Sequence, residues 1–236
     1  MKSKVIILFT VFFSFFLWGQ KTRIEFIEKK DSLEKKEKRD FIFLHSDVNL
    51  NTARYLAKIL GNGRIVSLNV LLADIQRKSQ KIGANAFRYV SSKVVSDSFE
   101  IILELYKIED DIKIENKRFY PINSIYIFGK NNFNKQTEEK YKLNKEEKII
   151  KSGEYDIIPV DEGEKVSINK GGAMGMTYNY KVKGQIPSLF INFSGFGISG
   201  PAPYGLGLSF SAGKIYEMNI DYGLLLLEIY KKNSNL

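Results

Sequence analysis

The side chains in this sequence that could do chemistry are few, and their spacing excludes most reactions. His45 is the single histidine of the 236 residues, and there is no cysteine. An imidazole is the one side chain that ordinarily titrates near neutrality, so a serine or histidine mechanism must pass through His45. No G-x-S-x-G elbow supplies it with a nucleophile. We therefore expect His45 to be a hydrogen-bonded structural residue at the end of a strand. Glu109, Asp110 and Asp111 place three carboxylates side by side, but a calcium loop of the EF-hand type needs alternating oxygens and a terminal glutamate. The triplet reads as a solvated turn. A hydrolase using two acids distant in the chain stays open as an alternative, because such a pair leaves no local spelling.

Two glycine-rich stretches call for the same scrutiny. Gly195, Phe196, Gly197, Ile198, Ser199 and Gly200 spell G-x-G-x-x-G, yet Pro201 and Pro203 follow at once where a dinucleotide site needs a helix N-terminus. A turn is expected. Gly171, Gly172 and Gly175 surround Met174 and precede Met176, without the G-K-[ST] of a phosphate loop, so a hairpin loop is expected, with an exposed apolar tip as the functional alternative. Around these loops Phe190, Phe193, Phe196 and Tyr204 concentrate aromatic area among glycines and prolines. Together with Met174 and Met176 they form the candidate interaction surface, since rigid aromatic loops give large contact area at low entropic cost. No cofactor and no metal ligand set is expected: zinc sites want three or four histidine, cysteine or carboxylate ligands.

The address is more legible than the chemistry. Lys2 and Lys4 precede an uncharged run from Val5 to Trp18, then Gly19, then a charged stretch from Lys21. This is the pattern of an export signal over residues 1–19, and its apolar run is shorter than the roughly 20 residues of a membrane span. We expect cleavage after Gly19, with an uncleaved anchor as the alternative. The formal charge is +9, or +7 without Lys2 and Lys4. Acids are interleaved with these bases, as in Glu28, Lys29, Lys30 and Asp31, which reads as solvated surface. Nucleic acid is not an expected partner, for no aromatic-and-basic binding signature is present.

The elements that must position any site fall into two expected domains. Residues 20–39 are mostly charged and read as a tether. From 40 to 130 the pattern predicts an α+β domain: a buried strand at Phe41 to Leu44, a short helix from Asn51 or Thr52 to Leu60 stopped by Gly61, and a second helix in which Leu68, Leu71, Leu72, Ile75 and Ile82 recur at helical spacing. Strands are expected at Phe87 to Val94 and Phe99 to Ile108, where Ile101, Leu103 and Leu105 alternate with polar neighbours, and at Asn123 to Phe128, closing the same sheet. Residues 131–151 read as a charged linker. Residues 152–236 predict an all-β domain, a sandwich or small barrel, with strands near Tyr155, Lys165, Thr177, Ser188, Leu206 and Leu224.

Asp74 to Val90, reading DIQRKSQKIGANAFRYV, resembles the helix-to-strand turn of the YbjQ-like α+β domains, a family often labelled heavy-metal-binding. Gly83, Ala84, Asn85 and Ala86 occupy that turn. Glycine supplies the helix-ending positive φ, the alanines allow close approach, and the asparagine can bond free backbone. The resemblance implies an α+β unit within about 41–108; one histidine and no cysteine give its metal label no ligands to work with.

The expected function is an exported, cysteine-free protein of the periplasm, envelope or extracellular space that acts by binding or assembly, not catalysis. An envelope protein or a surface glycan is the partner class, and no membrane-spanning segment is expected once the signal is removed. Two further readings stand beside it. The C-terminal β-domain could act as a secretion or sorting signal, and the glycine-aromatic strands could belong to an outer-membrane barrel, against which the polar end Lys231 to Asn235 argues.

Overall fold

The computed structural model describes residues 22–33, 40–64, 68–171, 175–193, 208–210 and 215–233. The predicted signal at 1–19 lies outside them. The described chain is mostly β, with fifteen strands and three helices in three sheets.

The first sheet contains β1 (Arg23–Lys29), β2 (Ile42–Phe43), β3 (Arg54–Arg64), β4 (Ala86–Val95) and β5 (Ser98–Lys107), in the order β1-β3-β5-β4-β2. Only the β2 to β4 pairing is parallel. Helix α1 (Leu68–Gln80) covers one face, burying Leu68, Leu71, Leu72 and Ile75 against the inward row Ile59, Phe87, Phe99, Ile101, Leu103 and Leu105. Strand β3 corrects the helix expected over 52–60. Tyr55, Leu56, Ile59 and Leu60 satisfy either periodicity, and Gly61 is not a helix stop. It lies within the strand where α1 approaches closest: a Cβ there would stand 2.5 Å from Cδ1 of Ile75.

The turn from α1 into β4 follows the sequence reading closely. Gly83 takes φ +87°, the Ala84 N–H bonds the Ser79 carbonyl and the Gly83 N–H that of Gln80, the two bonds of a Schellman end. Asn85 then serves a neighbouring strand rather than the helix end. Its Nδ2 donates to the Ile108 carbonyl and its Oδ1 accepts the Ile108 N–H, both at 2.8 Å.

Helix α2 (Asp110–Lys117) begins where a turn was expected. Glu109 is its N-cap, and Asp110 and Asp111 fill its first turn, where carboxylates favour the positive end of the helix dipole. The chain continues through β6 (Ser124–Phe128), β7 (Glu138–Leu143), β8 (Glu146–Lys151), β9 (Glu154–Pro159), β10 (Lys165–Lys170), β11 (Met176–Lys181), β12 (Leu189–Asn192), β13 (Leu208–Phe210), β14 (Tyr216–Met218), α3 (Ile220–Ile229) and β15 (Lys231–Lys232). Six strands form one sheet, β13-β14-β12-β6-β9-β15, and four form another, β11-β10-β7-β8. Strand β6 therefore does not close the first sheet. It is central in the second, parallel to β12.

The charged stretch at 131–151, read as a linker, contains the β7–β8 hairpin. Asn144 and Lys145 turn it at φ +49° and +78°, the left-handed pair that a two-residue hairpin demands. All its charged residues but Glu139 point away from the core, while Glu139 and Tyr141 are buried, which is why composition hid the strand. The sandwich core joins Ile125, Ile127, Leu189 and Ile191 of the six-stranded sheet to Tyr141, Ile150, Val166 and Ile168 of the four-stranded one.

The run Leu224 to Tyr230, expected as a strand, is most of helix α3. Asn219 caps it, its side chain accepting the Asp221 N–H at 2.8 Å, and an apolar run of that length fits either conformation until packing decides. Leu224, Leu225 and Leu226 share one core with α1, the first sheet and Phe128, Phe190 and Met218 of the six-stranded sheet. The first sheet and the six-stranded sheet thus share a core across α3.

Gly223 makes that meeting possible, since a Cβ at this position would fall 2.3 Å from Cγ of the fully buried Phe190. Gly223→Ala should therefore lower stability by about 1–3 kcal/mol in urea unfolding, despite alanine's better helix propensity. An unchanged or raised midpoint would show that α3 does not rest on Phe190.

Candidate functional site

The first sheet carries its most unusual chemistry on its rim. β2 covers the outer edge of β4 only at Ala86 and Phe87, where the Leu44 N–H bonds the Phe87 carbonyl at 2.8 Å. From Arg88 to Val95 no strand among the described residues pairs with that edge. β1 forms the opposite rim and, among the described residues, is paired only with β3. Both rims carry a bulge: the register shifts between Phe26 and Glu28 in β1 and between Tyr89 and Ser91 in β4. Ile27 and Val90, the extra residues, are 49% and 41% exposed, and Val94 and Val95 are exposed beside them. An open strand edge bearing exposed β-branched residues is a template for another strand.

The face away from α1 is polar and ordered by charge. One row across the sheet reads Glu28, Lys58, Glu104, Arg88, and another Arg23, Asn62, Glu100, Lys93. Lys58 and Arg88 reach Glu104 at 3.4 and 3.8 Å, and Lys93 reaches Glu100 at 2.8 Å. The Lys93 hydrogen bond holds the Glu100 carboxyl below its usual range. Tyr106 donates to Glu104 at 2.8 Å and accepts from Arg88 at 3.2 Å. Burial, then the Glu28 carboxylate, pushes Tyr55 up to about 12. Glu104 and Glu100 each meet a base directly, and Glu28 stands opposite Lys58 in the register at the margin of the sheet.

At the other end of the same edge, side chains replace a strand. Asp221 of α3 accepts the Phe43 N–H at 3.0 Å and the Tyr120 hydroxyl at 2.9 Å on one oxygen. Asn116 of α2, fully buried, donates to the Phe43 carbonyl at 2.7 Å and accepts the His45 N–H at 2.9 Å. Burial raises the Asp221 carboxyl to about 6, with the Asp40 charge adding to it, while the Phe43 and Tyr120 bonds and Lys117 pull the other way.

A third polar group lies in the sandwich. Asp156 is buried, accepts from Tyr141 at 2.7 Å and from Asn233 at 2.8 Å, and is raised chiefly by burial. Glu139, also buried, meets Lys170 at 3.4 Å and Lys130 at 3.9 Å. Asp156 and Asp221 are the two raised carboxyls among the described residues, and their hydrogen-bond partners there are different. No group of three histidine or acidic side chains that could hold a metal occurs among the described residues.

The candidate interaction residues separate on inspection. Phe190 is 1% and Phe193 3% exposed, the first stacked on Tyr126 at 4.9 Å and the second against Tyr141 at 5.1 Å, so both are core and unavailable to a partner. Strand β12 is buried on both faces, and its Leu-Phe-Ile run is the sequence of such a strand. Met176 begins β11 and packs partly on the sandwich core. Met174, Phe196, Tyr204 and the G-x-G-x-x-G stretch lie outside the described residues. Gly171 and Gly175 do flank the β10–β11 hairpin turn, as expected. His45 stacks on Phe119 at 4.9 Å, and its Nδ1 accepts the Asp47 N–H. The β4 rim went unnoticed in the sequence. The broken alternation of V-S-S-K-V-V after Tyr89 marks the bulge, not the missing neighbour.

In comparisons with protein-family models, curated proteins and solved structures, nothing matches this chain. No helix among the described residues is long and apolar enough to cross a membrane.

The raised Asp221 carboxyl has a defined sign. Its proton is bound more tightly in the folded than in the unfolded chain, so the penalty is absent below the ordinary value of 3.8, grows as pH rises, and is complete above about 6. Asp221→Asn, which keeps an acceptor for Phe43 and Tyr120, should flatten that slope and gain about 1–3 kcal/mol relative to the parent between pH 4 and pH 7. Parallel stability curves for the two proteins would contradict the assignment.

Proposed function

We propose that the protein is exported under the signal at residues 1–19 and acts by binding or assembly at the cell envelope or beyond it, adding a partner's extended segment to the open edge of β4. The observation that supports this reading is the run Arg88 to Val95, unpaired among the described residues and carrying the exposed Val90, Val94 and Val95. Strand addition draws affinity from backbone groups and needs no catalytic residue, which fits a chain whose polar clusters neutralise themselves. The charged rows behind the edge supply orientation, since like charges placed opposite would be rejected. The periplasm, cell surface and surrounding medium are all compatible with a chain that has no cysteine to oxidise.

A photoreactive residue placed at Val94 in the producing cell tests the reading, with Ile114 on α2, 61% exposed, as control. A discrete crosslinked species from position 94 and none from 114, on protein beginning at Gln20, is the expected result. Equal or absent crosslinking at both positions would overturn binding through β4, and recovery with Met1 intact would overturn cleavage.

A further inference from the structure

We propose that the strand seated on β4 is β1 of a second copy, so that the first sheets of successive molecules join head to tail. This deepens the binding reading above and rests on it.

The two rims of the sheet are complementary in direction, charge and shape. Each of the three pairings from β1 through β3 and β5 to β4 is antiparallel, so β1 and β4 themselves run in opposite directions. A copy displaced sideways therefore offers its β1 antiparallel to the open β4 with every row kept in line. The rows that meet are Arg88 with Glu28, Tyr89 with Phe26, Ser91 with Glu25, Ser92 with Ile24 and Lys93 with Arg23. They follow from the registers Arg88↔Glu104↔Lys58↔Glu28 and Lys93↔Glu100↔Asn62↔Arg23 and the rows between.

Charge alternation continues across the join. Glu28, Lys58, Glu104 and Arg88 would be followed by Glu28 of the next copy, giving Arg88 a carboxylate on either side, and Glu28 is the acid of this face with an open flank. Tyr89 and Phe26, half-buried at the two margins of the inner face, would cover each other as a cross-strand aromatic pair. The bulge residues Ile27 and Val90 border that pair. Of the seven large apolar side chains exposed among the described residues, Ile27 and Val90 lie within the paired rows, and Val94 and Val95 continue the β4 rim just past them.

The limits agree at one end, while Val94 and Val95 run on past the row of Arg23, the first residue of β1. β2 occupies β4 up to Phe87, and the row after Arg88 and Glu28 would set Phe87 against Lys29, the last residue of β1. The open stretch of one rim thus ends where the strand of the other ends. The single like-charged row, Lys93 with Arg23, is buffered by Glu100 at 2.8 Å and Glu25 at 2.9 Å. In the free chain the Lys78 ammonium bonds the Ile24 carbonyl and blunts β1, as lysines do at sheet edges, and pairing displaces it. A join between two different rims is heterologous, so it propagates or closes a ring rather than stopping at two.

The absence of native cysteine gives a clean test. Ser91→Cys and Glu25→Cys are introduced together into the full-length mature chain, which is then oxidised at several protein concentrations. Within one molecule these positions lie three strand spacings apart, about 14 Å, too far for a disulfide; across the proposed join they are opposite. The expected result is a ladder of covalent multimers that is lost on reduction, is lost with Glu28→Arg, and is absent from either single cysteine variant. Ser91→Cys alone forming dimers as readily as the double variant would mean symmetric β4 pairing and would overturn the proposal. A double variant that remains monomeric, with an unchanged unfolding midpoint, would overturn it too. In that case a Val94 crosslink to a different protein would leave the binding reading standing, whereas no crosslink would remove both.

Discussion

Everything in this fold depends on seating one apolar helix between two sheets. α3 is capped by Asn219, admits the Phe190 ring at Gly223, and fills the common core with Leu224, Leu225 and Leu226. With Glu228 as its one exposed residue, such a helix is stable only when covered on both flanks. The first sheet with α1 supplies one flank, and the inner strands β12 and β6 supply the other. Those strands must then be apolar on both faces, and the four-stranded sheet covers the side that α3 does not. The layers are consequences of one another.

The same helix decides which part of the first sheet is finished and which is not. Near its N-terminus Asp221 and Asn116 bond the N–H and C=O of Phe43, so a strand of two residues is held by side chains where a further strand would otherwise lie. Holding that edge requires a partly buried carboxyl, which is why its proton affinity rises. Beyond Phe87 no such device exists among the described residues. The bulge at Val90 and the base Lys93 moderate the edge, as in sheets that avoid indiscriminate pairing. Specificity then comes from the partner's ability to match a bulged, charge-marked rim, which is a stricter condition than being extended.

Sequence patterns revealed what local chemistry controls. The helical spacing of Leu68 to Ile75, the glycine that ends it, and the alternation from Phe99 to Leu105 each state their conformation directly. Leu56 to Gly61 and Leu224 to Ile229 did not, because short apolar runs satisfy either period and the packing that selects one is supplied by residues far along the chain. The β7–β8 hairpin was concealed by its solvent face, whose lysines and glutamates outnumber the inward Tyr141 and Leu143. The aromatic surface expected around Phe190 and Phe193 proved to be core, since concentration of aromatic area says nothing about which side of a strand faces water. Openness of the β4 rim is a property of topology, and no local pattern encodes which strand lacks a neighbour.

The most direct test of the account is amide hydrogen exchange along Arg88 to Val95 in dilute protein, resolved residue by residue. The account predicts an alternating result: amides bonded to β5 protected, and those facing outward exchanging at nearly the rate of free chain. Uniform protection along the strand would contradict it, for the edge would then already be closed within the single molecule.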